Sequence, residues 1–217
     1  MNLMKSTRLI TALSLGLTLP AVAQSTFQNL NFEQANPGPY SGNVTVASAL
    51  PYWAVFYGTV QQTEITYNAP GLGSTMVTLV GGGGTFPAID GNYSVLLQGG
   101  LTASAATISQ TDTIPSGTQS LVFEAQPGEG ILDVLVGTQV VPFIPIGSGA
   151  NYTLYGANIS AWAGDPEQIS FSALSGVNNW EIDDISFSPT AVPEPSIVAL
   201  TAISGLLFGA RKWFARR

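Results

Sequence analysis

The chain contains no cysteine and no histidine among its 217 residues. Without cysteine no disulfide can form, so packing, strand pairing or a bound metal ion must stabilise any folded domain. Without histidine the chain lacks the usual general base and the usual zinc ligand. A Ser-His-Asp or Cys-His triad is therefore impossible, and hydrolases that depend on one are excluded.

Positive charge is missing from the long middle of the chain. All six Lys and Arg residues lie no later than Arg8 or no earlier than Arg211, whereas all thirteen acidic residues lie between these positions. Phosphate contacts depend on Lys and Arg, so binding to nucleic acid or anionic lipid is disfavoured. The imbalance instead favours divalent cations, and the many uncharged polar residues suit a partner such as a neutral glycan.

The N-terminus has the three parts of a secretion signal. Lys5 and Arg8 precede an apolar run at residues 9–19, and Ala21-Val22-Ala23 is a small-x-small cleavage site. The apolar run is too short to span a bilayer as an uncleaved anchor. We therefore expect residues 1–23 to be a signal peptide that signal peptidase removes, which leaves Gln24 as the first mature residue.

The C-terminus combines a short motif, an apolar run and a basic end. Pro193-Glu194-Pro195 precedes an apolar run at residues 197–210, and Arg and Lys residues follow at 211–217. This combination resembles the PEP-CTERM sorting signal of Gram-negative bacteria, which an exosortase recognises. The resemblance implies that residues 193–217 hold the chain in the inner membrane before processing, with the basic end in the cytoplasm. Pro193, Glu194 and Pro195 would be recognition elements and not catalytic groups.

One property of this segment departs from a typical membrane helix. A hydrocarbon core about 30 Å thick needs about 20 residues, and the apolar run is shorter. Snorkelling of Arg211 and Lys212, or local thinning of the bilayer, would close the gap. An ordinary C-terminal anchor that stays in place is the alternative interpretation.

Residues 24–188 have the pattern of an all-β domain. Short runs rich in Val, Ile, Thr, Tyr and Phe alternate with Gly, Pro and Asn, and helical periodicity is absent. About a dozen such runs favour an antiparallel β-sandwich of the jelly-roll type. We also predict a tight hairpin turn at Gly137, a single helical turn at 160–164 and a short linker at 189–192. The predicted strands are 27–32, 44–47, 53–57, 65–67, 94–98, 105–110, 119–125, 131–136, 139–143, 152–158, 168–173 and 180–188.

Two adjacent aspartates, Asp183 and Asp184, lie in the last predicted strand. Side chains alternate across a strand, so one of the two should lie among apolar residues whichever face points inward. A buried carboxylate is costly unless it is paired or metal-bound, and the domain has no Lys or Arg to pair with it. Calcium coordination and hydrogen bonds from backbone N–H groups remain as the two ways to stabilise it.

The two ends of the domain resemble a known kind of module. Asn29-Leu30-Asn31-Phe32-Glu33 at the start and Ile182-Asp183-Asp184-Ile185 at the end are similar to the first and last strands of carbohydrate-binding modules with a galactose-binding-like β-sandwich. The resemblance implies that Glu33 and Asp183 or Asp184 bind a structural calcium ion, with backbone carbonyls completing the oxygen ligands. In the alternative, backbone amides alone satisfy the carboxylates.

Sugar-binding modules use aromatic faces as platforms, and this domain has several aromatic residues. We select Trp53, Tyr57 and Trp162 as candidates for ligand contact. Any single aromatic side chain is more often a core residue, because it buries so much area.

Together these features predict a non-catalytic exported protein of the cell surface or of an extracellular, biofilm-type matrix, associated with extracellular polysaccharide. One alternative is a structural or adhesive protein without glycan specificity, whose strand edges assemble side by side because nothing basic guards them. The other is a glycan-active enzyme, since glycoside hydrolysis needs only two carboxylates, although no pair here is framed by a recognisable motif.

Overall fold

The computed structural model of the protein describes residues 27–71, 73–101, 104–128, 130–176 and 178–192. The predicted signal peptide, the motif Pro193-Glu194-Pro195 and the apolar run that follows it lie outside these residues. Within the described ranges, no helix has both the length and the apolar character that crossing a membrane requires.

The regular secondary structure of the described chain is almost entirely β. Helical structure within it consists of α1, Val46–Ala49, and a 3₁₀ turn at Ser160–Trp162. The strands, in chain order, are β1 Gly42–Thr45, β2 Ala54–Tyr57, β3 Val60–Gln62, β4 Glu64–Tyr67, β5 Met76–Gly81, β6 Tyr93–Gly99, β7 Ala106–Thr113, β8 Ser120–Pro127, β9 Leu132–Val136, β10 Gln139–Val141, β11 Phe143–Ser148, β12 Thr153–Asn158, β13 Pro166–Ala173 and β14 Asn178–Ser188.

These strands form two sheets. The first sheet has eight strands in the order β1-β4-β5-β6-β14-β8-β12-β11, and the second has six in the order β10-β9-β13-β7-β2-β3. Among the described pairs only β4 and β5 run parallel. Val77, Leu97 and Ile182 from the first sheet share one buried core with Ile108 and Ile169 from the second. The predicted β-sandwich is confirmed.

The first predicted strand is wrong. Residues 27–32 are irregular, with a turn at 30–31, and Asn29 and Phe32 have positive φ angles of 51° and 57°, which a strand does not allow. The apolar alternation that suggested a strand has another cause. Single side chains, such as the fully buried Phe32, anchor an irregular segment to the core.

Other differences from the predicted strands have local physical causes. The predicted strand at 44–47 stops at Thr45, whose hydroxyl oxygen accepts a hydrogen bond from the Ser48 backbone N–H and caps α1. Pro142, which has no N–H to donate, separates β10 from β11 where one strand was expected. β5 was not predicted because almost all its residues are buried, on both faces, and so show no alternation of apolar and polar residues.

Two of the predicted turns are confirmed. β9 and β10 form a hairpin across Gly137, which has a φ angle of 58°. The helical turn expected at 160–164 is the 3₁₀ turn Ser160–Trp162.

Two irregular segments lie against the central strands of the first sheet. The β5–β6 connection, residues 82–92, contacts the outer face of this sheet, where the Ile89 N–H donates to Ser94 Oγ at 3.2 Å. The N-terminal segment runs beside β14, where the Ile185 N–H donates to the Leu30 carbonyl at 3.0 Å. These two segments and β14 position the site described next.

Candidate metal centre

A β-bulge in β14 determines where the two aspartates point. Asp183 pairs with Glu124 of β8, but the next pair is Ser186 with Val122, so Asp184 and Ile185 together occupy the place of one residue. Asp184 adopts a φ angle of 42°, a left-handed conformation that Asp tolerates better than most residues.

The bulge shifts the alternation by one residue. Ile182 and Ile185 both belong to the apolar core, with 0% and 3% of their surface exposed. Asp183 is also buried, but on the outer face of the sheet beneath the β5–β6 connection, where the Asp90 N–H reaches its carboxylate. The expectation of one buried aspartate therefore holds for Asp183, but this residue lies on the outer face of the sheet and not in the apolar core.

Three carboxylates from separate parts of the chain meet on this outer face. They belong to Asp90 of the β5–β6 connection, Glu124 of β8 and Asp184 of β14, and one oxygen of each lies within 4.8 Å of the others. We call these three residues the carboxylate cluster. Beside it, Asn31, Glu33 and Asp183 line a cavity of about 170 Å³ together with Asp90, Gly91 and Asp184.

Glu124 is the most unusual member of the cluster. Only 7% of its surface is exposed, and its Oε2 has no hydrogen-bond partner among the described residues. Burial raises the pKa of Glu124, a hydrogen bond with the Tyr152 side chain opposes this, and the charges of Asp184 and Asp90 raise the pKa further. A buried acceptor without a donor costs about 1–3 kcal/mol, so this oxygen is suited to a ligand that carries positive charge.

Asp184 has a similar electrostatic environment. Burial, followed by the charges of Asp90 and Glu33, raises the pKa of its carboxyl group. No Lys, Arg or His occurs between Arg8 and Arg211, so no side chain of the domain can neutralise the cluster.

Asp183 is stabilised by the backbone. Its Oδ1 accepts the Asp184 N–H at 2.8 Å and its Oδ2 accepts the Asp90 N–H at 3.4 Å. With 1% of the residue exposed, burial dominates and raises the pKa of Asp183 to about 8. This geometry corresponds to the backbone-amide alternative for Asp183.

Glu33 fastens the β5–β6 connection to the N-terminal segment. Its Oε1 accepts the backbone N–H groups of Asn92 and Tyr93 at 2.7 and 2.9 Å, and its Oε2 accepts Asn92 Nδ2 at 2.8 Å. Burial acts to raise the pKa of Glu33, but these bonds outweigh burial and hold the pKa below its usual value. Glu33 is therefore ionised at neutral pH and positions the loop that carries Asp90.

Gly91 makes this close approach possible. It has a φ angle of +58°, and a Cβ atom on it would lie 2.5 Å from Glu33 Oε1. Any other residue at this position would strain the backbone and displace the Glu33 carboxylate.

The sequence candidates for the metal site did not include Asp90 and Glu124. Asp90-Gly91 has the form of an ordinary turn, and Glu124 stands next to a Pro-Gly turn that offers a simpler reason for a polar residue. The one available signal was that Glu124 interrupts the apolar run 121–125 within a strand.

Trp53 is a core residue. Only 4% of its surface is exposed, its Nε1 donates to the Asn29 carbonyl at 2.9 Å, and its ring lies 5.7 Å from that of Phe32. The expectation that Trp53 offers a face to a ligand is corrected, because packing covers the ring.

Tyr57 and Trp162 are both partly buried and lie apart. Tyr57 pairs with Ala106 at one end of β2 and β7, and its hydroxyl oxygen accepts the Val77 N–H at 3.1 Å. Trp162 lies in the 3₁₀ turn just before β13, close to the opposite end of β7, where Pro166 pairs with Thr113. The three aromatic candidates therefore do not form one surface.

No protein-family model and no curated protein matches the chain. Among solved structures the chain is similar to TmCBM61, a carbohydrate-binding module solved in complex with β-1,4-galactotriose, with 15% sequence identity over 76% of this chain and 99% of that chain and a TM-score of 0.40. A likeness this distant carries no functional argument, and the β-sandwich assignment follows from the strand order of the chain itself.

Proposed function

We propose that this protein is an exported, non-catalytic β-sandwich that binds calcium and associates with extracellular polysaccharide. The observation that carries the calcium part is the buried Glu124 Oε2, which lacks a hydrogen-bond donor within the described chain and belongs to a cluster with Asp90 and Asp184. A divalent cation would neutralise charges that the domain cannot neutralise with its own residues.

The donor set favours calcium over transition metals. All candidate ligands are oxygens, whereas zinc in proteins is bound mainly by Cys sulfur and His nitrogen. Asp90, Glu124 and Asp184 would hold the ion, and a calcium ion would contribute the positive charge that the site lacks. Glu33 and Asp183, the other sequence candidates, already accept hydrogen bonds, so we assign them to positioning the loop and the bulge.

The proposed calcium ion has a structural role. Asp90 belongs to the β5–β6 connection, whereas Glu124 and Asp184 belong to adjacent strands of the first sheet. An ion between them would join the connection to the sheet centre and offset the repulsion between their charges. In a protein without disulfides, such a cross-link would contribute substantially to stability.

The non-catalytic part of the proposal is supported by the shape of the site. The cavity beside the cluster measures about 170 Å³, below the roughly 300–1,000 Å³ of ordinary ligand pockets. It suits an ion and water molecules better than a sugar ring.

Export and polysaccharide association are supported by the sequence. The signal-peptide pattern and the sorting-signal resemblance predict delivery to the cell surface or matrix through signal peptidase and an exosortase. The lack of Lys and Arg across the domain disfavours anionic partners and favours uncharged polar partners such as neutral glycans.

Assembly through strand edges receives less support. At the sheet edges, β3 and β10 have three residues each and β1 has four. The longer edge strand β11 contains Pro145 and a register irregularity between Pro145 and Gly147. Short strands, proline and bulges at edges all discourage pairing between copies.

The decisive experiment is thermal unfolding of the full chain, purified in a detergent without a sugar head group, in excess calcium and in excess chelator. An ion that binds only the folded state must raise the unfolding temperature. An unchanged unfolding temperature at millimolar calcium would refute the calcium part. Failure to be retained by any polysaccharide, with or without calcium, would refute the glycan part.

A further inference from the structure

A polar groove lies where one edge of each sheet meets the other, away from the carboxylate cluster. β1 and β4 form this edge of the first sheet, and β3 and β2 form the corresponding edge of the second. The groove has a volume of about 300 Å³, at the lower end of the range for ligand pockets. Its lining includes Asn43, Tyr57, Gln62, Glu64, Ser74 and Met76.

Tyr57 supplies a rigid aromatic surface in this groove. The ring packs against the hydrophobic core, and the hydroxyl oxygen accepts the Val77 N–H at 3.1 Å. Because these contacts already restrain the ring, a ligand that packs against it loses little side-chain freedom on binding. The C–H face of a pyranose ring is apolar and matches such a surface.

The other groups in the groove are polar and have hydrogen-bonding capacity to spare. The side chains of Asn43, Glu64 and Ser74 make no hydrogen bond to any other described residue. Gln62 uses its Nε2 to donate to the Val60 carbonyl at 2.9 Å, which leaves its Oε1 available. Amide, carboxylate and hydroxyl groups together can donate to and accept from the hydroxyl groups of a sugar.

The charge of the groove lining limits the kinds of sugar that can bind. Glu64 is the acidic residue of the groove lining, and no basic residue lies between Arg8 and Arg211. A uronate or sulfated sugar would be repelled, whereas a neutral sugar would find both hydrogen-bond donors and acceptors.

We propose that this groove binds a short segment of a neutral, hydroxyl-rich polysaccharide, with Tyr57 as the platform and Asn43, Gln62 and Glu64 as hydrogen-bonding groups. The proposal rests on the proposed function, in which the domain associates with polysaccharide, and it locates that association in the groove. No residue is shared between the groove and the carboxylate cluster. Calcium should therefore not contact the sugar, and binding should persist in chelator at temperatures where the protein stays folded.

The test is affinity electrophoresis of the full chain in a detergent without a sugar head group. The gels contain a neutral galactan, glucan or mannan, or an anionic polyuronate as the contrasting polymer. The Asn43→Ala/Gln62→Ala double variant changes only groups that the core does not need. The matched control is Gln139→Ala, which removes an exposed amide from β10, the three-residue strand at the opposite edge of the second sheet.

The double variant should bind the retained neutral polymer at least tenfold more weakly than the wild type, while Gln139→Ala should bind as the wild type does. Tyr57→Phe, which keeps the platform, should retain binding if the protein stays folded. Wild-type affinity in the double variant would overturn the groove assignment and leave the proposed function standing. A wild-type protein retained by no polymer would overturn both, and equal retention by the polyuronate would overturn the neutral-sugar class.

Discussion

Asp183 of β14 lies directly opposite Glu124 of β8, and both carboxylates are buried on the outer face of the first sheet. Neither side chain has a basic partner, because no Lys, Arg or His occurs between Arg8 and Arg211. Asp183 is stabilised by backbone N–H groups, whereas Glu124 retains one oxygen without a donor within the described chain. Glu124 is therefore the carboxylate beside which a cation is expected.

Glu124→Gln should abolish most of the calcium response. The substitution keeps the shape of the side chain and removes its charge, so the cluster loses a ligand and also loses repulsion. In chelator the variant should unfold at the same temperature as the wild type or higher. In calcium the unfolding temperature should rise much less than that of the wild type. Glu167→Gln, on β13 of the second sheet, is the control and should keep the full response.

Without metal, the protein should lose stability as pH rises. The folded-state pKa of Asp183 is raised from 3.8 to about 8, so the folded chain holds a proton that the unfolded chain releases. Stability from this group is complete below about pH 4 and is lost as pH rises towards 8, at up to about 1.4 kcal/mol per pH unit. Burial raises the pKa values of Glu124, Glu181 and Asp184 in the same direction, whereas the pKa of Glu33 is lowered.

Urea unfolding of metal-free protein between pH 5 and pH 9 measures this slope on the range where Asp183 titrates. Asp183→Asn should reduce the slope of the free energy of unfolding against pH, because the group that binds the proton is gone. Saturating calcium should also flatten it, since the ion favours the ionised carboxylates. A metal-free protein whose stability rises across this range would contradict the raised pKa.

Gly91→Ala and Gly83→Ala should differ although both residues lie in the same loop. Both glycines have positive φ angles, +58° and +79°, so both substitutions carry about 1–2 kcal/mol of backbone strain. Only at Gly91 would the new Cβ reach Glu33, because nothing lies within 4 Å of the Cβ position at Gly83. Urea unfolding should show Gly91→Ala destabilised by at least about 1 kcal/mol more, the cost of a disrupted hydrogen bond.

The same pair of variants tests the positioning role of Glu33. Calcium titration monitored by the unfolding temperature should show weaker affinity for Gly91→Ala and near wild-type affinity for Gly83→Ala. Equal calcium affinity in the two variants would show that the Glu33 contact does not position Asp90.

Trp53→Phe should lower stability without changing polysaccharide binding. Phe cannot donate the hydrogen bond that Trp53 Nε1 makes to the Asn29 carbonyl, and it leaves space beside Phe32. A loss of about 1–3 kcal/mol in the free energy of unfolding is expected. Loss of polysaccharide retention by a variant that is still folded would show that Trp53 contacts the ligand.

Local patterns in the sequence determined the class of the fold and some of its details. The alternation of β-branched and aromatic residues predicts a β-sandwich, and Gly137 marks a hairpin turn, because both depend on neighbours along the chain. The uneven placement of charge likewise shows, without any structure, that the acidic residues of the domain have no basic partner. Asp183 and Asp184 are also recognised from the sequence, because they are adjacent within a predicted strand.

Contacts between distant residues were decided only by the tertiary structure. Asp90, Glu124 and Asp184 meet because a loop folds over a sheet whose strands β14 and β8 are neighbours in space and far apart in sequence. The bulge that keeps Asp184 on the outer face beside Asp183 arises from the register of two strands, and the burial of Trp53 arises from the path of the N-terminal segment. Register and loop path depend on the packing of the whole core, and a pattern along one strand does not contain them.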